Sequence, residues 1–231
     1  MTEMMMMKMI FLVHAESRMS AVKRAMLLML VAAVAVCAYA HPHDDCGTVN
    51  KTMPMTNLDM VFGDWVLVWA VSGEPNNQDL LVNLSSSVIE LHRSQDNQTV
   101  EYHERNQFLD KSCTKYLIIL PMPSDDHDTS LHVLNGTFEK DGVVSKFNDS
   151  GDVNFYGACS KCMVMSYKGS VGHFLMGYRK MGLHQDTEDI KTHYSYLEKL
   201  AHCLGFPHDH PFTYDGTAEF CPKKSAPADQ S

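Results

Sequence analysis

Between Gly63 and Lys180 the chain is cut into short β-rich runs that follow one another at hairpin distance, and no other feature limits its fold so tightly. The runs cover residues 64 to 72, 80 to 91, 98 to 106, 113 to 120, 131 to 139, 142 to 148, 153 to 158, 162 to 168 and 173 to 180. Turn formers separate them: Glu74 to Asn77, Gln95 to Asn97, Pro121 to Asp126, Lys140 to Gly142, Asp149 to Asp152, and Lys168-Gly169. Such residues set or free φ, or hydrogen-bond their own backbone, so they end strands. Many short strands with hairpin links predict an antiparallel all-β body, either an up-and-down barrel or a sandwich.

After the strands the period changes. Ile190, Tyr194, Leu197 and Ala201 recur at helical spacing behind Asp186 or Thr187 as N-cap, with Glu188 and Asp189 in the first turn and Gly205 and Pro207 as terminators. One amphipathic helix is therefore predicted to lie on the sheet, followed by a tail that returns to the body.

The opening forty residues read as a leader. Lys23 and Arg24 precede an apolar run from Ala25 to Val36, which ends in Ala38-Tyr39-Ala40, a cleavage pattern for export. Met19 is the expected initiator. The apolar run is shorter than the ~20 residues a membrane span needs. The mature domain is then 41 to 224, with 225 to 231 as a flexible tail. From His41 onward there are 15 basic and 26 acidic residues, a net charge of −11, and no basic cluster to neutralise phosphates. Nucleic acid and anionic membrane surfaces are poor partners on that ground. A single monomeric domain is expected.

Export gives the cysteines and asparagines a meaning. Six cysteines remain after the leader, Cys46, Cys113, Cys159, Cys162, Cys203 and Cys221, an even number suited to disulfides in an oxidising compartment. A bridge between Cys159 and Cys162 across a tight turn is the expected state of that C-x-x-C, since no helix follows to lower a thiol pKa for redox work. Five sequons begin at Asn50, Asn83, Asn97, Asn135 and Asn148, and each modified side chain must face solvent. No metal site is expected. His41-Pro42-His43 lacks an amide that an N-terminal copper site needs, and His208-Asp209-His210, with Asp215 nearby, reads as an ordinary polar loop.

Gly63-Asp64-Trp65 at the start of the first strand, then antiparallel strands, then one helix, resembles the lipocalin family. Further stretches resemble its alpha-1-acid glycoprotein (orosomucoid) branch and the fish tributyltin-binding and saxitoxin/tetrodotoxin-binding proteins. They are "LNGTFEKDGVVSKF" from Leu134 to Phe147, Ser166-Tyr167, and "HCLGFPHDHPFTYDGTAEFCPKK" from His202 to Lys224. The resemblance implies an eight-stranded up-and-down barrel with a C-terminal helix, and pairing of Cys46 with Cys203 and of Cys113 with Cys221. It implies that Gly63 and Trp65 form the barrel floor with Arg179 packed across the tryptophan. Ser166 in Met165-Ser166-Tyr167 stands where the family usually has an aspartate, and nine runs stand where eight strands are expected.

Ligand contacts follow from two sources. Strand alternation places Leu67 and Trp69 on the inward face with Trp65. Outward sequons at Asn83, Asn97 and Asn135 put Val82, Leu84 and Ser86, then Val100, Tyr102 and Glu104, then His132 and Leu134 inside. From the resemblance, Lys146, Ser166 and Tyr178 are polar pocket groups. The function implied is a secreted, glycosylated, non-enzymatic carrier of small lipophilic or amphipathic molecules, xenobiotics or toxins among them, needing no cofactor. Two alternatives stand beside it: an isomerase of the prostaglandin D synthase kind, which needs a free cysteine inside the barrel, and an immune-modulating acute-phase glycoprotein.

Overall fold

A computed structural model describes residues 46–123 and 128–223. The leader, the expected mature start at residues 41–45, residues 124–127, and the tail with Lys224 lie outside the described residues. Ten strands carry the body: β1 (Gly63–Ser72), β2 (Leu84–Arg93), β3 (Thr99–Phe108), β4 (Cys113–Pro121), β5 (Ser130–His132), β6 (Asn135–Lys140), β7 (Val143–Phe147), β8 (Asp152–Ala158), β9 (Cys162–Gly169) and β10 (Gly172–Lys180). A short β11 (Phe212–Thr213) adds to β1 from the tail. The helices are α1 (Cys46–Val49), α2 (Gln78–Asn83), α3 (Thr187–Lys191) and α4 (Tyr194–Leu204), with a 3-10 helix at Met55–Val61.

Every pairing is antiparallel, in the order β5-β8-β9-β10-β1-β2-β3-β4-β6-β7. The excess of strands over eight comes from one broken hairpin. β5 and β6 are a single interrupted strand, as are their partners β7 and β8: Ser130 faces Asn154, and Lys140 faces Val143, across the same hairpin. At the break Val133 donates to Gly151 on one side and Leu134 donates to Ile119 of β4 on the other. These two bonds join the ends of the sheet, so the ring is an eight-stranded barrel, as the resemblance implied.

The run expected as a strand over 80–91 divides. Residues 78–83 are helical, and the strand begins only at Leu84. Near the C-terminus the expected single helix is two, α3 and α4, broken at Thr192-His193. Asp186 caps α3 by accepting from the Asp189 amide, and Gly205 ends α4. Ile190, Leu197, Leu200 and Ala201 are buried against the outside of the barrel. Gly177 on β10 is required there, because a Cβ would come within 2.9 Å of the Leu197 side chain.

The disulfides join Cys46 to Cys203, Cys113 to Cys221 and Cys159 to Cys162, with Cα separations of 5.4, 5.8 and 5.0 Å. The first ties α1 to α4, and the second holds the returning tail on β4. Asn50, Asn83, Asn97, Asn135 and Asn148 are all exposed. No helix among the described residues is long and apolar enough to cross a membrane.

Candidate ligand-binding site

One end of the barrel is closed by Trp65. Its ring is fully buried, and its Nε1 donates to the Val61 carbonyl at 2.8 Å, which fastens the 3-10 helix under the floor. Gly63 adopts φ +120°, a region that disfavours side chains, and a Cβ there would lie 3.2 Å from Lys180 Nζ. The Lys180 ammonium sits 5.0 Å from the centre of the Trp65 ring, a cation–π contact.

Above the floor is a cavity of about 160 Å³. Leu67, Ala70, Leu84, Ile118, Leu120, Val133, Phe147, Met165, Phe174 and Met176 form its apolar wall, and Leu80 and Leu81 of α2 lie at its rim with Val171. This volume is close to the ~150 Å³ that admits benzene and below the ~300 Å³ of sites for drug-sized molecules. A ligand larger than one ring must therefore displace rim side chains, of which Leu80 and Val171 are already 44% and 50% exposed.

A polar cluster interrupts the wall. Glu104 accepts from the Tyr102 hydroxyl at 2.6 Å and from Asn106 Nδ2 at 2.5 Å. Burial raises the Glu104 carboxyl above its ordinary range even though both donors favour its charged form. Burial, and then the neighbouring Glu104, also hold Tyr102 and Tyr178 well above the usual phenol range, so both remain hydrogen-bond donors. Asn106 Oδ1 is buried in the same wall with no partner among the described residues. The cluster thus offers acceptors to any donor that enters.

No family model matches the chain. Over 207 residues, 90% of the chain, it is 39% identical to saxitoxin and tetrodotoxin-binding protein 1 of Takifugu pardalis, and equally to protein 2 of that fish. Rat epididymal lipocalin 12 superimposes with a TM-score of 0.50, covering 75% of this chain and 91% of that one at 11% identity, which speaks to the fold. The chain has the lipocalin fold. It spans about half the length of the fish relatives, 52% of each.

Of the expected ligand contacts, the lipocalin cavity takes in Leu84, Tyr102 and Tyr178. The remaining five stand elsewhere. Trp69 is buried outside the barrel with Val164, Leu175, Leu197 and Leu200, beneath α4, and its Nε1 has no partner among the described residues. A bulge explains it. The pairing of β1 with β10 slips between Leu67 and Trp69, so one extra residue inverts the alternation and Ala70 takes the inward place. A second bulge, between Leu84 and Ser86, turns Ser87 inward while Ser86 donates outward to the Glu219 carbonyl.

Val82 belongs to α2 and is 62% exposed. Leu134 is 61% exposed, because the break between β5 and β6 shifts parity there; Val133 lines the cavity, while His132 is exposed and pairs with Asp152. Lys146 is exposed on β7. Ser166 is buried but lies opposite Leu175, on the helix side of the wall. Arg179 does not cover Trp65. It is buried on the other face, held to Asp189 at 3.0 Å and to His193 Nδ1 at 2.6 Å, while Lys180, directly opposite Trp65, takes the place over the ring.

Glu104 is inside, as the alternation predicts, and Asn106, Tyr116 and Tyr167 also line the cavity although they are not among the expected contacts. For Asn106 the available signal is the alternation along β3, in step with Tyr102 and Glu104.

Proposed function

We propose that this lipocalin is a secreted, glycosylated carrier that binds small amphipathic molecules inside its barrel. The carrying observation is the pairing of an apolar wall with one buried acid, Glu104, held by Tyr102 and Asn106. A ligand would bury its apolar body against Leu67, Ile118, Phe174 and Met176, and direct a hydrogen-bond-donating or cationic end to Glu104 and Asn106 Oδ1. Binding sites of this class combine a mostly apolar lining with a few oriented polar groups. The names of the two fish relatives, saxitoxin- and tetrodotoxin-binding proteins, support a small-molecule ligand of toxin type. The three disulfides and the five exposed sequons suit an extracellular setting.

A binder is favoured over a thiol-dependent isomerase because Cys46, Cys113, Cys159, Cys162, Cys203 and Cys221 are all paired. The test is native mass spectrometry of the deglycosylated protein, alone and with saxitoxin, tetrodotoxin, a steroid or an organotin. One ligand bound per chain, displaced by Leu84→Trp, is the expected result. Absence of saturable binding by every probe overturns the carrier reading.

A further inference from the structure

On the closed end of the barrel the inward residues Trp65 and Ile89 are paired across β1 and β2, and the next pair along, Asp64 and Glu90, faces outward. His92 lies two residues beyond Glu90 on that same outer face. One donor atom from each of Asp64, Glu90 and His92 falls within 4.8 Å of the others, and His92 Nε2 stands 3.6 Å from Glu90 Oε2. Donors around a tetrahedral zinc ion, with bonds of about 2.0 to 2.2 Å, stand roughly 3.3 to 3.6 Å apart. The His92–Glu90 separation already matches that spacing, and no other separation in the group exceeds 4.8 Å.

Two further observations bear on whether these groups can act as ligands. Glu90 is aimed by its other oxygen, since Arg105 and Lys223 hold Oε1 at 3.0 and 2.8 Å and leave Oε2 toward His92. Anchoring of the second oxygen in this way is the usual support for a ligating carboxylate. The Asp64 carboxylate has no hydrogen-bond or ion-pair partner among the described residues. On the adjoining strand His103 lies opposite Glu90, with its ring centre 6.2 Å from that of His92, and adds a second imidazole beside the group. Counting Glu101, which His103 contacts, the face holds three carboxylates against two cations.

We propose that Asp64, Glu90 and His92 bind a divalent transition-metal ion of the zinc class on the outer wall, apart from the ligand cavity. Imidazole nitrogen with carboxylate oxygen suits zinc, whereas calcium and magnesium take all-oxygen shells. The histidine-rich tail is a weaker candidate. There Asp215 already accepts from the amides of Thr217 and Ala218, and His208 Nδ1 contacts the Phe206 carbonyl.

Zinc chloride titrated calorimetrically into the tag-free, disulfide-bonded protein tests the assignment, with magnesium and calcium as controls. His92→Ala changes an exposed side chain and Asp64→Asn a partly buried one, and an unaltered circular dichroism spectrum checks that each folds. One zinc per chain is expected, with affinity at least about tenfold weaker in each variant and unchanged in the double variant His208→Ala/His210→Ala. The proposal is overturned by unchanged zinc affinity in His92→Ala and Asp64→Asn, by loss of binding in the tail variant instead, by equal affinity for magnesium, or by no saturable zinc. Retained binding of the cavity probe throughout separates this outcome from failure of the carrier reading.

Discussion

The Tyr102 hydroxyl donates to Glu104 Oε2 at 2.6 Å, from a residue two positions away on the same inward row of β3. An acid is thereby kept in an otherwise apolar barrel by neutral donors, with no cationic side chain contacting it among the described residues.

This arrangement has a pH signature. Folding raises the Glu104 pKa, so its protonated form favours the folded state below the unfolded value. That stability is lost as pH climbs through the raised folded value. Glu104→Gln removes the titration, and its amide can donate to Asn106 Oδ1 after the Asn106 side chain turns over. Urea unfolding at pH 4 and pH 7.5 should show the variant gaining on the wild type at the higher pH. An equal gap at both would refute the assignment. In the same variant a cationic probe should bind more weakly than in the wild type.

The two tryptophans should separate in the reverse sense to a simple alternating strand. Trp65→Phe loses the bond to Val61 and opens the floor, at a cost of about 1 to 3 kcal/mol. Trp69→Phe loosens the packing of Leu197 and Leu200 and should cost on the order of 1 kcal/mol, with no hydrogen bond lost. Ligand affinity should be unchanged in Trp69→Phe. A displacement titration with chemical denaturation reads both quantities, and weakened binding in Trp69→Phe would place its ring in the cavity after all.

Asp149 ties two turns together, accepting from Tyr167, from the Ser170 amide and hydroxyl, and from the Val171 amide. Although burial opposes it, these donors bring its pKa down to about 2. A lowered folded pKa contributes stability above the unfolded value and loses it as pH falls, here between about 4 and about 2. Asp149→Asn keeps the sequon at Asn148 and should destabilise by about 1 to 2 kcal/mol at pH 7. The deficit should shrink towards pH 2; a constant deficit in thermal unfolding across that range would count against the carboxylate's role.

The disulfides should differ in their contribution. Cys46–Cys203 and Cys113–Cys221 span 157 and 108 residues, so loss of either by paired serine substitution should cost about 4 to 5 kcal/mol in the chain-entropy account. Cys159–Cys162 spans 3 and restrains a turn already closed by the Cys159 amide bond to the Cys162 carbonyl. Its removal should change the unfolding midpoint little, and a loss comparable to the long bridges would show that it holds more than its own hairpin.

Local chemistry in the sequence already determined most of the architecture. The turn residues spaced the strands, the 3.6 period from Ile190 to Ala201 marked the helical end, and Gly63 with Trp65 marked the floor through the family resemblance. Such features depend mainly on neighbours a few residues away, although the helix breaks at Thr192-His193 and the 80–91 run divides at Leu84. The cavity was decided elsewhere. Its lining rests on the parity of each strand, and parity inverts at a single inserted residue that carries no mark of its own. The bulge after Leu67 sends Trp69 under α4, the one after Leu84 replaces Ser86 with Ser87, and the break at 133–134 exposes Leu134. Where no bulge or break intervenes, as at Tyr102 and Glu104 on β3, the inward positions read from the chain are those the barrel uses. Bulges form where curvature and closure of the ring demand them, and that demand exists only once all the strands are in place.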